Sequence, residues 1–172
     1  MKPPLYPIFV DLECAPCLVV GGGPVATEKT EKLVEAGGDI RIVSITFTDT
    51  LRRMIADGST RQHHERAYET ADLDGRFLVI AATDDSDVNR QVWTDATARN
   101  MLANVVDVPE LCNFIVPSIM RQGELGIAVS TGGASPVVAR TIRQNIEKAV
   151  GPEWGELVAM FPERIGTPTM HR

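Results

Sequence analysis

Aromatic residues make up only 5% of the 172-residue sequence, cysteines number three, and 17 basic residues are outnumbered by 23 acidic ones, for a net charge of −6. Each scarcity excludes something. A chain this acidic lacks the basic excess that marks a nucleic-acid-binding or anionic-membrane-binding surface, so neither partner is expected. Phe77 to Ala82 is typical of its longest apolar stretches, far short of the roughly 20 residues of a membrane span. Met1-Lys2-Pro3-Pro4 lacks the apolar segment of a secretory signal, so the expected location is the cytoplasm. Three cysteines do not make a disulfide framework. Cys14 and Cys17 form a C-x-x-C pair, but no second pair exists to complete a structural zinc site. A redox C-x-x-C follows a strand at a helix N-terminus; this one precedes an apolar strand, which Cys17 is expected to open as a small hydrophobe. No H-x-x-x-H, G-x-S-x-G or P-loop pattern occurs, and no protein-held metal is expected. His63 and His64 fall on a weak strand, where neighbours point to opposite faces, and read as surface residues; His171 lies in the tail.

What is present is a strand–helix alternation. Cys17-Leu18-Val19-Val20 stops at Gly21-Gly22-Gly23. A helical stripe follows through Val25, Ala26, Leu33, Val34 and Ala36, ended by Gly37-Gly38, and Ile40 to Val43 is a second strand. This is a βαβ unit of about 30 residues, commonly a right-handed parallel crossover. Phe47 to Ala56 reads as a helix and Arg61 to Ala67 as a polar edge strand. Phe77 to Ala82 has the continuous apolar character of a strand buried on both faces. Asp84 to Asn100 is a helix and Leu102 to Val106 the fifth strand. The pattern then changes. Phe114 to Met120 and Leu125 to Ser130 read as a hairpin joined through Arg121-Gln122-Gly123-Glu124. Ser135-Pro136 starts a helix as N-cap and N1, which runs to Gly151-Pro152. A short amphipathic stretch around Trp154 to Phe161 and a Pro/Thr tail close the sequence. The predicted fold is α/β, a Rossmann-like doubly wound parallel sheet over 1–112, with a small C-terminal hairpin-helix appendage over 113–172. An appendage this small buries little alone, so docking on a partner subunit is expected.

Gly21-x-Gly23-x-x-Ala26 is the dinucleotide fingerprint in its G-x-G-x-x-A form, set between strand and helix as the motif requires. Gly21 would allow the tight turn, Gly23 the approach of the pyrophosphate, and Ala26 close helix–strand packing, with phosphates at the helix N-terminus. The ribose-binding acid expected about 20 residues on is absent. Ser44-Ile45-Thr46 ends the second strand instead, and no arginine there favours a 2′-phosphate, which points to NAD over NADP. With strand order 3-2-1-4-5, the Gly21–Ala26 and Thr83-Asp84-Asp85 loops flank the switch point and Asp107 lies one strand further. By spacing alone Asp107 is equally a turn acid or a functional carboxylate. Ser130-Thr131-Gly132-Gly133-Ala134-Ser135 precedes a helix N-terminus, with Arg140 and Arg143 following. It reads either as a plain turn or as an anion site able to grip a polycarboxylate.

Four strings occur in order: Cys17-Leu-Val-Val-Gly-Gly-Gly-Pro-Val-Ala26; Ile80-Ala-Ala-Thr-Asp-Asp85 with Val88-Asn89; Asn104-Val-Val-Asp107; and Ser130-Thr-Gly-Gly-Ala-Ser-Pro136 with Ala139-Arg140. Together they resemble the precorrin-2 dehydrogenase/sirohydrochlorin ferrochelatase family, including the N-terminal module of siroheme synthase, over roughly residues 5 to 150. The resemblance implies NAD-dependent oxidation of precorrin-2 to sirohydrochlorin; some members then insert ferrous iron. It implies Asp107 as the catalytic carboxylate of both steps. It also implies a nucleotide site of Gly21, Gly22, Gly23, Pro24, Val25, Ile45, Thr46 and Thr83. Asn104, Ser130, Thr131, Gly132, Gly133, Ser135 and Arg140 would lie at the tetrapyrrole, and the family's intertwined homodimer would suit the appendage. Thr131 stands where a serine is often found, which keeps the hydroxyl. The sequence ends near where many relatives continue into a larger helical domain. It lacks a methyltransferase domain, so the preceding methylations are expected of another protein. The rival reading from another class is an NAD-binding redox-sensing or regulatory domain without turnover, which gives Asp107 and the Ser130–Pro136 loop no task. A third is a chelatase that has lost oxidation.

Overall fold

The computed structural model describes residues 5–161. Two compact units divide it: Tyr6–Ile115, and residues 116–161 together with Leu5. In the first, β1 (Pro16–Val20), β2 (Asp39–Ser44), β3 (Gln62–Glu65), β4 (Leu78–Ala81) and β5 (Leu102–Val105) alternate with α1 (Pro24–Glu35), α2 (Asp49–Ala56) and α3 (Ser86–Ala98). The strands form one parallel sheet in the order β3-β2-β1-β4-β5, as predicted. Val20 pairs with both Val43 and Ala81, so β1, β2 and β4 end level and their outgoing loops leave from one edge.

The period of two in each strand sorts side chains onto two cores. Cys17, Val19, Ile40, Ile42, Leu78 and Ile80 meet Ala26 and Leu33 of α1 and Leu51 of α2. Leu18, Val20, Val43, Val79 and Ala81 meet Val92 and Ala96 of α3. Because β1 and β4 are covered on both faces, every one of their core side chains is buried, and truncating a residue such as Leu18 to Ala would cost about 2–5 kcal/mol. The sheet's edges are handled differently. β3 presents Gln62, His63 and Glu65 to solvent, a polar edge that discourages strand pairing. The outer edge of β5 is covered by Asn113, whose side chain accepts from Ala103 N (2.8 Å) and donates to Met101 O (2.7 Å) while its own N–H donates to Ala103 O (3.1 Å). Two single 3₁₀ turns, Thr70–Leu73 and Pro109–Leu111, were not visible in the pattern.

The second unit holds β6 (Ser118–Gln122) and β7 (Leu125–Val129), an antiparallel hairpin, with α4 (Pro136–Ala149) packed on both strands and α5 (Glu153–Ala159) on β7. Two boundaries differ from expectation. The sixth strand begins at Ser118 rather than Phe114, because the Phe114 carbonyl already accepts from Asn104 Nδ2 (3.0 Å) and Pro117 has no N–H to offer a ladder. The hairpin turn is only Gly123-Glu124, since Gln122 pairs with Leu125 and Gly123 takes φ +57°. Ser135 caps α4 through its hydroxyl, which accepts from Val138 N at 3.3 Å. His171 and the Pro/Thr tail lie outside the described residues.

Candidate active site

The three glycines between β1 and α1 do different things. Gly21 has φ +126°, and a Cβ there would stand 2.3 Å from the Ala82 carbonyl oxygen, so both its conformation and its space require glycine. Gly22 is pressed against the loop after β2: a Cβ would lie 1.8 Å from Thr46 O. The G-x-G-x-x-A pattern leaves this position unspecified, yet it is the tightest of the three. Around Gly23 a Cβ would meet nothing within 4 Å, and the backbone is ordinary, φ −81° and ψ −175°. Open space therefore faces the start of α1, where Gly22, Gly23, Val25 and Ala26 use their N–H groups for no hydrogen bond among the described residues. Pro24 at N1 has no N–H. Unpartnered backbone donors at the start of a helix, beside the open space at Gly23, fit the pyrophosphate of a dinucleotide.

The loop following β2 supplies no acid. Ile45 is 70% exposed and Thr46 exposed, while Ser44 Oγ lies 3.5 Å from Thr46 N. Arg52, further along α2, is paired with Glu65 at 2.8 Å, and its guanidinium sits over the Phe47 ring. On the other side, Thr83 is fixed by a residue to which sequence reasoning gave no task. Buried Asn89 accepts from Thr83 Oγ1 (2.8 Å) and donates to Thr83 O (2.8 Å), while Asp85 caps α3 through Asp87 N and Val88 N. Asn89 stands in the quoted string after Thr-Asp-Asp. Its burial is the signal that sequence alone does not carry.

Asp107 follows β5 at the same sheet edge and is exposed. Its φ of +60° is left-handed, a conformation that costs a non-glycine residue about 1–2 kcal/mol. The turn around it is held by Val108 N donating to Val105 O (3.2 Å) and by Cys112 Sγ, which lies 3.2 Å from Val105 O and 3.3 Å from Val108 O. The carboxylate stands at the carboxyl edge of the sheet and caps no helix: the N-cap of the Pro109–Leu111 turn is Val108, with no side-chain cap bond. Asn104 is half-buried and its amide holds Phe114.

In the second unit, Gly132 (φ +65°) and Gly133 (φ +86°) are both left-handed and exposed. Much of this loop's donor capacity is used internally. Gly132 N donates to Ser130 Oγ, Ala134 N to Thr131 O, and Ser135 N to Thr131 Oγ1, each at 3.0–3.1 Å. Arg143 is paired with Glu147, whereas Arg140 is exposed and makes no ion pair among the described residues. The Cys14/Cys17 pair behaves as the strand context predicts. Cys17 is fully buried, and that burial pushes its thiol up to about 11, so it is unreactive. No group of three potential metal ligands occurs among the described residues, and no helix there is long and apolar enough to cross a membrane.

A glycine loop with an open phosphate cradle on a doubly wound parallel sheet defines a nucleotide-binding domain of Rossmann-like fold. Over residues 8–118 the sequence matches the family model described as "Putative NAD(P)-binding", and the chain belongs to that family. A second model, "Sirohaem biosynthesis protein central", matches residues 122–149. The siroheme synthase of Methylobacillus flagellatus is 49% identical over 157 residues, covering 91% of this chain and 33% of the relative. That of Thioalkalivibrio sulfidiphilus is 45% identical over 155 residues, covering 90% and 32%. The chain thus spans about a third of the length of these curated relatives. Among solved structures, "SirC, precorrin-2 dehydrogenase" superposes with a TM-score of 0.80 at 24% identity, covering 96% of this chain and 84% of that one, and shares the fold.

Proposed function

We propose that this chain catalyses the NAD-dependent oxidation of precorrin-2 to sirohydrochlorin in siroheme biosynthesis. The observation that carries the reading is the pairing of an open dinucleotide cradle at Gly23 with a carboxylate, Asp107, held in a left-handed turn at the same edge of the sheet. The similarity to siroheme synthases along nine-tenths of the chain supports it. NAD is the preferred cofactor because the loop after β2, Ile45-Thr46-Phe47-Thr48, carries no cation for a 2′-phosphate, and Arg52 of α2 is bound to Glu65.

NAD, when bound, accepts the hydride. The first-turn N–H groups of α1 hold its pyrophosphate, and Ile45 and Thr46 line the adenosine side. Oxidation removes a hydride and a proton from the macrocycle, so precorrin-2 and NAD become sirohydrochlorin, NADH and a released proton. Asp107, exposed at the sheet edge, takes that proton as a general base. The loop Ser130–Ser135 and Arg140 bind carboxylates of the tetrapyrrole, with Gly133 N–H and the unpaired guanidinium as donors. Exposed Val137, Val138 and Ile142 on α4 give the second unit an apolar surface that a second copy of the chain covers in a homodimer. The proposed compartment is the cytoplasm.

The test is an anaerobic incubation with enzymatically made precorrin-2 and NAD. NADH formed together with sirohydrochlorin supports the reading, and NAD binding without turnover supports a sensor instead. Ferrous iron added after oxidation tests the second step separately: iron is then a substrate, and siroheme formation that depends on Asp107 would assign chelation to the same carboxylate.

A further inference from the structure

Beneath the glycine loop lies a chain of hydroxyls that the dinucleotide fingerprint does not contain. Thr27, on the first turn of α1 and 8% exposed, has its Oγ1 2.9 Å from Gly23 O and 2.8 Å from Thr48 Oγ1. Thr48 is the N-cap of α2, and its Oγ1 accepts from Leu51 N at 3.2 Å. Each hydroxyl has one proton, and the Gly23 carbonyl only accepts, so the direction is fixed. Leu51 N–H donates to Thr48, Thr48 to Thr27, and Thr27 to Gly23. A second bond runs beside this relay: Thr48 N donates to Gly22 O at 2.9 Å. The N-terminus of α2 is thereby tied at two points to the glycine loop at the start of α1. Such a relay polarises each bond along it and holds a geometry that a single bond would not.

The two tied segments are the ones between which a dinucleotide would be received, with the open cradle at Gly23 on one side and Ile45–Thr46 on the other. We infer that the Thr27–Thr48 hydroxyl pair sets the spacing of these two loops, making both threonines positioning residues for NAD affinity, an inference that rests on the nucleotide-binding reading of the glycine loop. Neither hydroxyl touches the cofactor in this account. Thr27 acts through Gly23 and Thr48 through Gly22.

Thr27→Ala is the decisive variant, because alanine is the better helix former and offsets part of what α1 loses with the hydroxyl. Losing the relay should raise the NAD Kd, read by calorimetry, and the KM for NAD by about five- to tenfold, the size of one buried hydrogen bond. kcat at saturating NAD and the KM for precorrin-2 should stay within about twofold, because only cofactor binding depends on the spacing. Thr27→Ser restores the hydroxyl and should return the Kd to within about twofold of wild type. Thr27→Val combined with Thr48→Val should bind NAD no more weakly than the worse single variant, since the pair acts as a unit. The inference is overturned if Thr27→Ala binds NAD as wild type does, if Thr27→Ser is as weak as Thr27→Ala, or if the two valine effects add. A wild-type chain that binds no NAD at all would instead bring down the cofactor reading, and this inference with it.

Discussion

The three consecutive glycines make a sharp internal comparison, because space and strain differ at each. At Gly22 an added Cβ would sit 1.8 Å from Thr46 O, where ordinary contact begins near 3.4 Å, so the two loops would have to part by about 1.6 Å. That movement breaks the Thr48 N–H to Gly22 O bond. Overpacking of about 2 kcal/mol and the lost hydrogen bond of about 1 kcal/mol put Gly22→Ala near 3 kcal/mol of destabilisation. For a chain of this size the Tm would fall by about 6–12 °C. Gly23→Asp has the opposite sign. Its Cβ enters open space at an ordinary φ. Aspartate is also a favoured N-cap, and its charge suits the helix dipole, so the unliganded protein should be unchanged or more stable by a few tenths of a kcal/mol. The same carboxylate would stand where the pyrophosphate goes. Two like charges about 4 Å apart near a surface repel by about 4 kcal/mol, or about a thousandfold in Kd. Thermal unfolding without ligand and calorimetric titration with NAD separate the two variants. Gly23→Asp binding NAD within about threefold of wild type, or Gly22→Ala melting with wild type, would overturn these assignments.

Asp107→Asn keeps a side chain that tolerates the left-handed turn, so its Tm and NAD affinity should match wild type while precorrin-2 oxidation falls by about a hundredfold or more, the usual range for a general base. A thiol-labelling time course at pH 8 should modify exposed Cys14 quickly and Cys17 only on unfolding, because burial removes access and holds the Cys17 thiol near 11; peptide mapping reads this directly. Acid stability should depend on Asp72: burial pushes its carboxyl up, but two bonds from Arg66 and one from Glu69 N outweigh that and leave it below its ordinary value. A lowered folded-state value means the stabilisation is present above the unfolded value, about 3.9, and is lost as pH falls through the folded one. Asp72→Asn should therefore lower stability at neutral pH and flatten the acid limb of a Tm-against-pH curve.

Sheet order and the cradle were legible because they rest on strong local signals. The apolar runs at Cys17–Val20 and Phe77–Ala82 mark two-sided burial, and Gly21, Gly23 and Ala26 stand at fixed offsets from a strand end. The C-terminal hairpin was legible except at its boundaries, where Pro117 and the amide of Asn104 decide where β6 starts. Other features depend on distance in space and leave no periodic trace. Gly22 is implied by the resemblance only as a nucleotide-site residue, and its packing against the Thr46 carbonyl leaves no mark in the sequence. Asn89 reads as a polar helix residue until its amide is found folded onto Thr83, and Thr27 and Thr48 are 21 positions apart. The strain at Asp107 was equally hidden, since Asp-Val-Pro is ordinary turn chemistry and only the backbone angle distinguishes it.

In the proposed reaction one chain moves a hydride from precorrin-2 to NAD while Asp107 takes the proton. A single-turnover anaerobic experiment, with NAD pre-bound and both chromophores followed at once, tests it most directly. NADH and sirohydrochlorin should appear in equal amounts with one rate constant in the wild type, and Asp107→Asn should form both at least about a hundredfold more slowly while still holding NAD. Sirohydrochlorin appearing without NADH, or an Asp107→Asn variant turning over at the wild-type rate, would contradict it.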